Sequence, residues 1–502
     1  MFIVLAVLIV TLVTIMLLWI KQTYNYFDGF GIIYDKPTPI LGSMKDALLQ
    51  RIHLKTVIEN LYKKYKSHSV VGIFEGTRPV LMITHPEVIN QVGVQHFNSF
   101  LNHKEMLDEK FGLIGKTLIA LKDQKWRDMR STLTPSFSGS KLKAMIPFIE
   151  KIAKHGVKHL KLCDRDGLGE DIEMKEFFAR LTNDVIATTA FGLEIDSLKH
   201  KDNEFFALGK SVTNFNGIFV LKMLLTNASP KLAKLLNIKF VSSKNSKFIN
   251  DTIIGSMKFR RDNNILREDM INLLMEARES SKATKHWTDD EIVAQCLIFI
   301  IGGLDSVSSL LCTICQMCIE NPEEQRKLIE EIHQTKNDLK DESLTYEQIQ
   351  GLSYMDMFIS ETLRLWPPTF ITDRNCTKDC VLDDPITGKT IQVKAGENLL
   401  IPISALHKDP TYFPEPNKFD PQRFSPENKS NIKHCTYIPF GVGPRNCIAQ
   451  RLALIETKCL LFHILDEFHF TSCEKSTIPI SLDPSTITFT PRNGFWFKVI
   501  KN

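Results

Sequence analysis

The sequence predicts a mainly α protein with a smaller β part (α+β), built as a single large domain behind an N-terminal transmembrane helix. Three observations predict this: an uncharged N-terminal stretch, helical periodicity from about residue 47 to residue 365, and short strand-like segments after it. Of the 502 residues, 43% are hydrophobic and 24% are charged. That composition is typical of a globular protein and excludes a disordered chain or a polytopic membrane protein.

The N-terminal stretch Met1–Ile20 contains no charged side chain. As a helix it would be about 30 Å long, which matches the hydrocarbon core of a bilayer. A secretory signal peptide is the alternative, but it needs a basic start, a shorter apolar core and a small-residue cleavage site. The stretch instead ends in Trp19 and Ile20, followed by Lys21, so we expect a retained anchor with Lys21 on the cytosolic side. The expected division is a transmembrane anchor at 1–20, a proline-containing linker at 21–45 and the large domain at 46–502.

Charge and cysteine usage exclude some partners and compartments. The 62 Lys and Arg residues against 58 Asp and Glu residues leave a net charge of +4, which gives no reason to expect a nucleic-acid partner. The 11 cysteines are an odd number, so at least one lies outside any intramolecular disulfide. Most of them stand in apolar stretches, which is typical of buried thiols in a reducing compartment.

The helical part contains several long periodic segments, the last of which is ended by Pro367-Pro368. Five prolines between Pro410 and Pro426, inclusive, exclude a regular helix or a central strand there. The predicted helices are Val57–Lys66, Pro147–Lys161, Met174–Phe191, Asp289–Ile319, Tyr354–Trp366 and Ile448–Asp466, and the predicted strands are short ones in 381–403, Ile487–Thr490 and Gly494–Val499.

A single cysteine follows a glycine-rich turn in the segment FGVGPRNCIA, residues 440–449. Turn amides and the positive end of the following helix would stabilise a thiolate at Cys447, and Arg445 adds a cation. Such a thiolate suits an anionic sulfur ligand of a metal, tuned by the hydrogen bonds around it. The alternative is a buried cysteine in a surface turn, which is the more common fate of a lone cysteine.

The spacing of Phe440, Gly443, Arg445 and Cys447 resembles the haem-binding signature F-x-x-G-x-R-x-C-x-G of the cytochrome P-450 superfamily. The resemblance implies the cytochrome P-450 fold and haem (iron protoporphyrin IX) as the cofactor. It also implies Cys447 as the axial ligand of the haem iron and Arg445 as the partner of a haem propionate. Ala449 stands where the family prefers glycine, which bears on the packing of helix against haem rather than on ligation.

Further motifs of the family occur in the expected order. Glu361-Thr-Leu-Arg364 matches the E-x-x-R pair, and its apolar neighbours favour a buried ion pair, because buried charges need partners. The resemblance implies that this pair locks against Arg423 in the proline-rich segment, with His407 nearby. These four residues are expected to hold the fold rather than to take part in the chemistry.

Trp126-x-x-x-Arg130 places an indole donor and a cation one helical turn apart. An amphipathic surface pair is the alternative, since residues four apart are neighbours on any helix. The resemblance assigns both residues to a haem propionate, and it assigns Arg374 to a propionate as well.

The segment Asp289–Ile319 is apolar and long enough to span a membrane, but Asp305 near its centre would cost about 2.5–3.5 kcal/mol on insertion. We expect a buried helix with a local break at Gly302-Gly303 against a ligand. It resembles the family's (A/G)-G-x-(D/E)-T segment, whose acid–alcohol pair relays protons during dioxygen activation. Asp305 and Ser306 take those positions, and serine keeps the hydroxyl but lacks the methyl group that restricts the threonine rotamer.

Two other patterns are set aside. Cys312-x-x-Cys315-x-x-Cys318 imitates part of an iron–sulfur run, but Pro322 stands where the fourth cysteine would be. No G-x-G-x-x-G motif or P-loop is complete, so the chain is expected to have no nucleotide site of its own. The resemblance then implies electrons from an NADPH–cytochrome reductase flavoprotein, with cytochrome b5 as a second candidate partner.

The resemblance therefore implies a haem-thiolate monooxygenase that inserts one atom of dioxygen into a lipophilic small molecule, such as a xenobiotic, a steroid or a fatty-acid-like compound. The flanking sequence is most similar to insect microsomal detoxification members and to the related vertebrate drug and steroid hydroxylases. We expect the endoplasmic reticulum membrane as its location, with domain 46–502 on the cytosolic face. Position in the family nominates the pocket residues Phe299, Leu304, Thr369, Phe370, Ile371 and Thr486.

Two other functions stay open at this point. Some members of the family isomerise or dehydrate hydroperoxides without a reductase, but they typically lack the acid–alcohol pair that Asp305 and Ser306 match. A haem-containing ligand sink without turnover is the second alternative, because Ser306 and Ala449 both depart from the family pattern.

Overall fold

The computed structural model describes residues 2–104, 109–164, 167–215, 217–228, 233, 235–267, 269–279, 287–339 and 343–502. Helices make up most of it, and the strands are short. The α-helices are α1 (Phe2–Tyr24), α2 (Lys45–Leu48), α3 (Leu54–Tyr65), α4 (Pro86–Asn90), α5 (Asp123–Leu133), α6 (Gly139–Cys163), α7 (Met174–Phe191), α8 (Glu204–Val212), α9 (Gly217–Ala228), α10 (Ser243–Asp262), α11 (Met270–Glu279), α12 (Asp289–Glu320), α13 (Pro322–Leu339), α14 (Tyr346–Gly351), α15 (Ser353–Leu365), α16 (Ile403–His407), α17 (Pro426–Lys429) and α18 (Gln450–Glu467). The strands are β1 (Val70–Glu75), β2 (Arg78–Ile83), β3 (Glu170–Glu173), β4 (Thr372–Asn375), β5 (Cys380–Asp383), β6 (Thr390–Val393), β7 (Asn398–Ile401), β8 (Phe468–Thr471) and β9 (Trp496–Lys501).

The chain forms two compact units, and each is assembled from segments that are separated in sequence. The first unit comprises Met1–Lys104, Thr369–Pro414 and Lys433–Asn446. Its main sheet has the order β1-β2-β7-β4, in which only the β2–β7 pair is parallel, and β5 and β6 form a separate hairpin. Apolar side chains of this sheet and of the segment after α1 form the core, in which the rings of Phe27 and Phe74 meet edge to face at 5.3 Å.

The second unit comprises Glu105–Pro368, Glu415–Ile432 and Cys447–Asn502. Its longest helix, α12, begins with a capping box: the Thr288 hydroxyl accepts the Glu291 amide at 3.3 Å, and the Glu291 carboxylate accepts the Thr288 amide at 2.9 Å. Helix α12 packs against α7, α18 packs against α6, and β3, β9 and β8 form an antiparallel sheet in that order. The predicted fold class, mainly α with a smaller β part, is confirmed.

The two apolar helices differ in their surroundings. Among the described residues, α12 is the one helix long and apolar enough to cross a membrane by length and composition, and most of it is buried inside the protein. This agrees with the predicted buried helix at Asp289–Ile319, but the expected break at Gly302-Gly303 is wrong, because the helix continues through both glycines. Helix α1 covers the uncharged N-terminal stretch, and its described apolar side chains from Phe2 to Trp19 are exposed. The anchor at 1–20 stays a prediction.

The long helices are where the sequence predicted them. Helix α7 has the predicted bounds Met174–Phe191, and α12 ends one residue after the predicted Ile319. Strands β1 and β2 were missed, because the periodicity between residues 47 and 365 predicted mostly helix. The hairpin turn that joins them contains Gly76 at φ +63°, a conformation that favours glycine.

The predicted strand Ile487–Thr490 is wrong, because the chain bends there instead of running extended. A turn precedes these bends: the carboxylate of Asp483 accepts the Ser485 amide at 2.9 Å, and its carbonyl accepts the Thr486 hydroxyl at 3.3 Å. The last strand begins at Trp496 instead of Gly494, because Gly494 has φ +81° and belongs to the preceding turn.

Candidate active site

The residues nominated from the sequence are divided between the two units, and each unit is described by itself. The first unit contains Thr369, Phe370, Ile371, Arg374, His407 and Arg445. The second unit contains Trp126, Arg130, Phe299, Leu304, Asp305, Ser306, Glu361, Arg364, Arg423, Cys447 and Thr486.

The turn that leads to Cys447 has a backbone shape that favours glycine at two positions. Gly441 and Gly443 have φ angles of +81° and +69°. A Cβ atom on Gly443 would lie 1.8 Å from the carbonyl oxygen of Gly93, which is far inside van der Waals contact. The glycine of the signature is therefore required by the close approach of two backbone segments in the first unit.

Two buried arginines fix this turn inside the first unit. Nε of Arg445 donates to the carbonyl oxygen of Leu101 at 2.8 Å, and Nη2 of Arg374 donates to that of Val442 at 3.0 Å. Arg374 has no exposed surface, burial lowers the pKa of its guanidinium, and its Nε has no hydrogen-bond partner among the described protein atoms. A buried cation with an unused donor is suited to an anionic ligand group such as a carboxylate.

His407 is fully buried at the end of α16, and its Nε2 accepts the backbone N–H of Ile438 at 2.9 Å. Because Nε2 is the acceptor, the ring proton of the neutral imidazole is on Nδ1. Ile438 lies two residues before Phe440 of the signature. His407 therefore supports the start of residues 440–447, the cysteine loop. Sequence reasoning had not assigned this role to His407.

Cys447 begins the last segment of the second unit, just before α18, and it is exposed. Burial raises the pKa of its thiol, while the backbone N–H of Ala449 and the charge of Arg130 lower it. The burial effect is the largest, and the amide of Ala449 acts in the direction that the sequence predicted; stabilisation of a thiolate by turn amides and Arg445 stays a prediction. Cys447 is thus exposed as a residue, while the surroundings of its thiol disfavour the ionised form unless a cation such as a metal compensates it.

Trp126 and Arg130 lie one turn apart on α5, with Trp126 buried and Arg130 partly exposed. Burial lowers the pKa of Arg130, and the charge of Cys447 raises it. Arg130 and Cys447 are thus within electrostatic reach of each other in the second unit. Sequence spacing placed Trp126 and Arg130 on one face of a helix, but it gave no distance to Cys447.

Glu361 and Arg364 form a buried ion pair on α15. Nε and Nη2 of Arg364 lie 2.6 Å and 2.8 Å from the two carboxylate oxygens of Glu361, and neither side chain is exposed. Nε of Arg423 lies 3.5 Å from Oε1 of Glu361, and the Asp420 amide donates to the same oxygen at 2.8 Å. Burial raises the pKa of Glu361, and Arg364 is the strongest group that lowers it.

The guanidinium of Arg364 also holds the proline-rich segment. It donates to the carbonyl oxygens of Pro416 at 2.8 Å and Lys418 at 3.2 Å. Arg423 in turn donates to the carbonyl oxygen of Glu415 at 3.0 Å. Carbonyl groups of a segment without regular secondary structure thus receive charged donors, which explains how a proline-rich stretch keeps a fixed shape.

The middle of α12 opens on one side. Residues on both sides of it are buried, whereas Gly302 is exposed and its neighbours from Ile298 to Ser306 are mostly only partly buried. A Cβ atom on Gly303 would lie 2.8 Å from Ile186 of α7, so this glycine permits close helix packing. A Cβ atom on Gly302 would meet nothing within 4 Å, so the helix presents backbone to open space there.

Asp305 and Ser306 follow this opening, and each has a defined partner. The Ser306 hydroxyl donates to the carbonyl oxygen of Gly302 at 2.5 Å. Oδ1 of Asp305 lies 2.9 Å from Nζ of Lys175 on α7. Sequence reasoning missed Lys175, although a lysine in the first turn of a helix opposes the helix dipole and is a signal that could have drawn attention to it.

The nominated pocket residues have different surroundings. The ring of Phe299 stacks on that of Phe137 at 5.5 Å with an interplanar angle of 2°, and Leu304 is buried with its side chain near Gly209. The hydroxyl of Thr486 hydrogen-bonds within its own turn. In the first unit, Thr369 is exposed, Ile371 is partly buried and Phe370 is buried with its ring 5.8 Å from that of His53.

These residues fit the cofactor that the signature implies. The exposed Cys447 suits a metal ligand. The buried Arg374, whose Nε donor is unused among the described protein atoms, suits a propionate partner. The segment of α12 at Gly302 meets open space and suits a surface that faces a ligand. The sequence profile of the cytochrome P450 family matches residues 34–497.

The chain belongs to the cytochrome P450 family. It is 38% identical over 498 residues to "Probable cytochrome P450 9f2" of Drosophila melanogaster, with 96% of each chain covered. It is 39% identical over 501 residues to "Cytochrome P450 9e2" of Blattella germanica, which covers 94% of this chain and 93% of the relative. "Cytochrome P450 6j1" of Blattella germanica is 30% identical over 493 residues, with 98% and 96% covered.

Membership establishes the coarse chemistry of this cytochrome P450. It is an oxidoreductase of the monooxygenase class with haem iron as its cofactor. The relatives confirm the predicted resemblance to insect members of the superfamily.

Proposed function

We propose that this cytochrome P450 oxidises lipophilic small molecules of the xenobiotic, steroid or fatty-acid-like type with electrons from an NADPH–cytochrome reductase. The overall reaction consumes one dioxygen, two electrons and two protons, places one oxygen atom in the substrate and releases the other as water. The observation that carries the proposal is the exposed Cys447 at the signature position, just before α18. Its insect relatives and the uncharged stretch 1–20 at its N-terminus support a microsomal detoxification role.

The proposed haem site assigns one role to each matched residue. Cys447 would hold the haem iron through its sulfur, and the iron would supply the charge that keeps this sulfur ionised. Trp126, Arg130, Arg374 and Arg445 would hold the propionates through N–H donors. When bound, the haem would supply the activation of dioxygen. Around it, the amide of Ala449 would donate to the sulfur and tune its electron density.

Asp305 and Ser306 would move protons on the opening in α12. The Ser306 hydroxyl is both donor and acceptor, and Asp305 accepts when ionised, so together they form a short relay. The carbonyl oxygen of Gly302 orients the hydroxyl at 2.5 Å. We propose that the relay delivers the two protons of the reaction.

The substrate side is proposed to be apolar. Phe299 and Leu304 come from the same helix as the relay. Phe299 lies about 1.7 turns before Asp305, Leu304 lies directly before it, and neither carries a charge. Thr369, Phe370, Ile371 and Thr486 are the further proposed contacts. Apolar side chains with few polar groups suit a lipophilic substrate, which gains free energy by leaving water.

The proposed location is the endoplasmic reticulum membrane. Helix α1 exposes apolar side chains along its length, which water does not favour and lipid does. We propose that residues 1–20 anchor the chain, that 21–45 link it to domain 46–502, and that this domain faces the cytosol, where a reductase and cytochrome b5 could reach it.

The experiment compares wild type, Cys447→Ala and Cys163→Ala by the absorption spectrum of the reduced, carbon-monoxide-bound protein. Cys163 ends α6 in the same unit and is partly exposed, so its variant controls for loss of a thiol. We expect the thiolate-type spectrum in wild type and Cys163→Ala and its loss in Cys447→Ala. A thiolate spectrum that survives in Cys447→Ala would refute the ligand assignment.

A second measurement tests turnover with a purified NADPH–cytochrome reductase and a panel of lipophilic compounds. We expect NADPH consumption and hydroxylated product with some members of the panel. Turnover of a fatty hydroperoxide without reductase would favour the isomerase or dehydratase. A normal spectrum with no turnover of any compound would favour the ligand sink.

A further inference from the structure

The ammonium group of Lys175 lies in a cradle of four oxygen atoms supplied by α12. Nζ is 2.9 Å from Oδ1 and 3.2 Å from the backbone oxygen of Asp305, 3.1 Å from the Ser308 hydroxyl and 2.6 Å from the Ser309 hydroxyl. The side chains of Lys175 and Asp305 are 19% and 24% exposed, and both serines are buried. A three-donor cation is thus fully coordinated by one helical turn.

Local physics does not explain why a lysine stands at this position. Lys175 is the second residue of α7, whose N-cap is Glu173. A cation in the first turn faces the positive end of the helix dipole, and this is unfavourable by roughly 0.3–1 kcal/mol. A residue that breaks a local rule is expected where a tertiary contact or a function requires it, and the tertiary contact here is Asp305.

The serines are arranged so that their lone pairs face the lysine. The Ser308 hydroxyl donates to the carbonyl oxygen of Leu304 at 2.6 Å, which leaves its oxygen free to accept from Lys175. Serine is a poor residue for a helix interior because its hydroxyl competes for backbone groups. Ser308 and Ser309, which follow the acid–alcohol pair after Val307, therefore also point to the lysine contact as the reason for two serines inside this helix.

We propose that Lys175 is a positioning residue for proton delivery, which it controls by fixing the carboxylate of Asp305. This inference rests on the proposed function, in which Asp305 belongs to the proton relay. An ammonium group donates and does not accept, so Oδ1 is held as an acceptor and proton exchange is confined to Oδ2. Among the described residues, Oδ2 has no hydrogen-bond partner within the protein, so it is open to water or to a ligand.

The position of the Asp305 carboxylate decides whether the reaction releases water or hydrogen peroxide. If Asp305 is held with Oδ2 toward the opening in α12, two protons reach the oxygen atom that becomes water. If the carboxylate rotates, delivery fails and the two electrons leave with dioxygen and two protons as hydrogen peroxide. Atoms and electrons balance in both cases, so the peroxide formed per NADPH measures how well Asp305 is positioned.

The functional test compares Lys175→Met, Lys175→Arg and Lys210→Met in the reductase-supported reaction of the holoenzyme. Lys210 on α8 is an exposed lysine of the same unit, at 3.5 Å from Glu176, and serves as the matched control. We expect Lys175→Met to raise peroxide per NADPH by about 3-fold to 10-fold, less than the 10²-fold or more that a positioned acid itself contributes. Lys175→Arg keeps a cation and should restore most of the coupling.

A double-variant comparison separates positioning from stability. In an Asp305→Asn background, Lys175→Met should add no further peroxide, because the group on which Lys175 acts is already lost. A full, additive effect in that background would overturn the proposal, and so would wild-type coupling in Lys175→Met. The carbon-monoxide spectrum and the melting temperature of each variant show whether a loss of coupling is only a loss of fold.

A measurement on the resting protein tests the contact without turnover. Reductive methylation with mass spectrometry should label Lys175 more slowly than Lys210 in the wild type, and faster in Asp305→Asn than in the wild type. Equal labelling of Lys175 in both proteins would overturn the proposed contact. A wild type that lacks the thiolate spectrum would instead refute the proposed function, and the two failures are therefore distinguishable.

Discussion

Glu361 and Arg364 form an ion pair in which neither side chain has exposed surface, with Nε of Arg364 2.6 Å from Oε2 of Glu361. Removal of one partner leaves a buried charge without compensation, which costs about 3–5 kcal/mol of unfolding free energy. We expect Arg364→Met to lower stability by this amount, measured by urea denaturation, and to make residues 415–432 sensitive to protease.

The control for this prediction is Arg326→Met. Arg326 also pairs with carboxylates, Glu323 and Glu330, but all three side chains are exposed. No resolvable change is expected there, because exposed pairs contribute little. Equal denaturation midpoints for the two variants would contradict the buried-pair argument.

Glu456 on α18 makes stability depend on pH. Burial raises the pKa of Glu456 to about 8, and its Oε1 has no hydrogen-bond partner among the described atoms. The folded state therefore retains a proton that the unfolded state has lost above its usual pKa of about 4.3, so stability falls as pH rises from about 4.3 to 8. The slope from this one group approaches about 1.4 kcal/mol per pH unit.

Glu456→Gln should remove this dependence, because the amide stays neutral at every pH. We expect the melting temperature of Glu456→Gln to exceed that of wild type increasingly between pH 5 and pH 8, and to be similar at pH 4. Glu474→Gln, an exposed position, serves as the control. Parallel wild-type and Glu456→Gln profiles would show that Glu456 is ionised in the folded protein.

Gly443 tests the shape of the cysteine loop. Alanine there would place its Cβ 1.8 Å from the carbonyl oxygen of Gly93 and would require φ near +69°, so the loop must move. We expect Gly443→Ala to lose haem, measured as the ratio of Soret to protein absorbance. Gly255→Ala, on an exposed turn of α10 with nothing within 4 Å of the new Cβ, should keep haem and gain up to about 1 kcal/mol.

Ser306 offers a test of hydroxyl orientation. Threonine restricts the side chain to fewer of the three staggered rotamers, so Ser306→Thr should lower peroxide release per NADPH by up to about threefold. Ser306→Ala removes the hydroxyl that donates to Gly302 at 2.5 Å and should raise peroxide release. A lower peroxide yield in Ser306→Ala than in the wild type would refute a role of the hydroxyl in proton delivery.

The sequence predicted best where local pattern and burial agree. Helix α7 was predicted with its observed bounds, because a long apolar periodicity ends at Gly192 in the left-handed conformation. Strands β1 and β2 were missed, because each has only 6 residues and is buried nearly throughout, so no alternation marks it. The strand predicted at Ile487–Thr490 was wrong, because its β-branched residues did not outweigh the bends that follow the hydrogen-bonded turn at Asp483.

In the candidate site, too, the sequence predicted what depends on local pattern and missed what depends on tertiary packing. The signature predicted which residues matter, since glycine, arginine and cysteine are fixed there by backbone shape and by chemistry. It did not predict the burial that raises the pKa of the Cys447 thiol, which depends on tertiary packing. Lys175 lies 130 positions from Asp305, and no local pattern connects residues so far apart.

The parallel pairing of β2 with β7 sets a constraint on biosynthesis. Leu81 pairs with Leu399, so 318 residues (399 minus 81) must be translated after the first strand before its partner exists. At roughly 5–20 residues per second this takes about 15 to 60 s, during which the β1–β2 hairpin keeps an unpaired apolar edge. The last partner of this edge is therefore made only after about four fifths of the chain, so the first unit cannot complete its sheet early in synthesis.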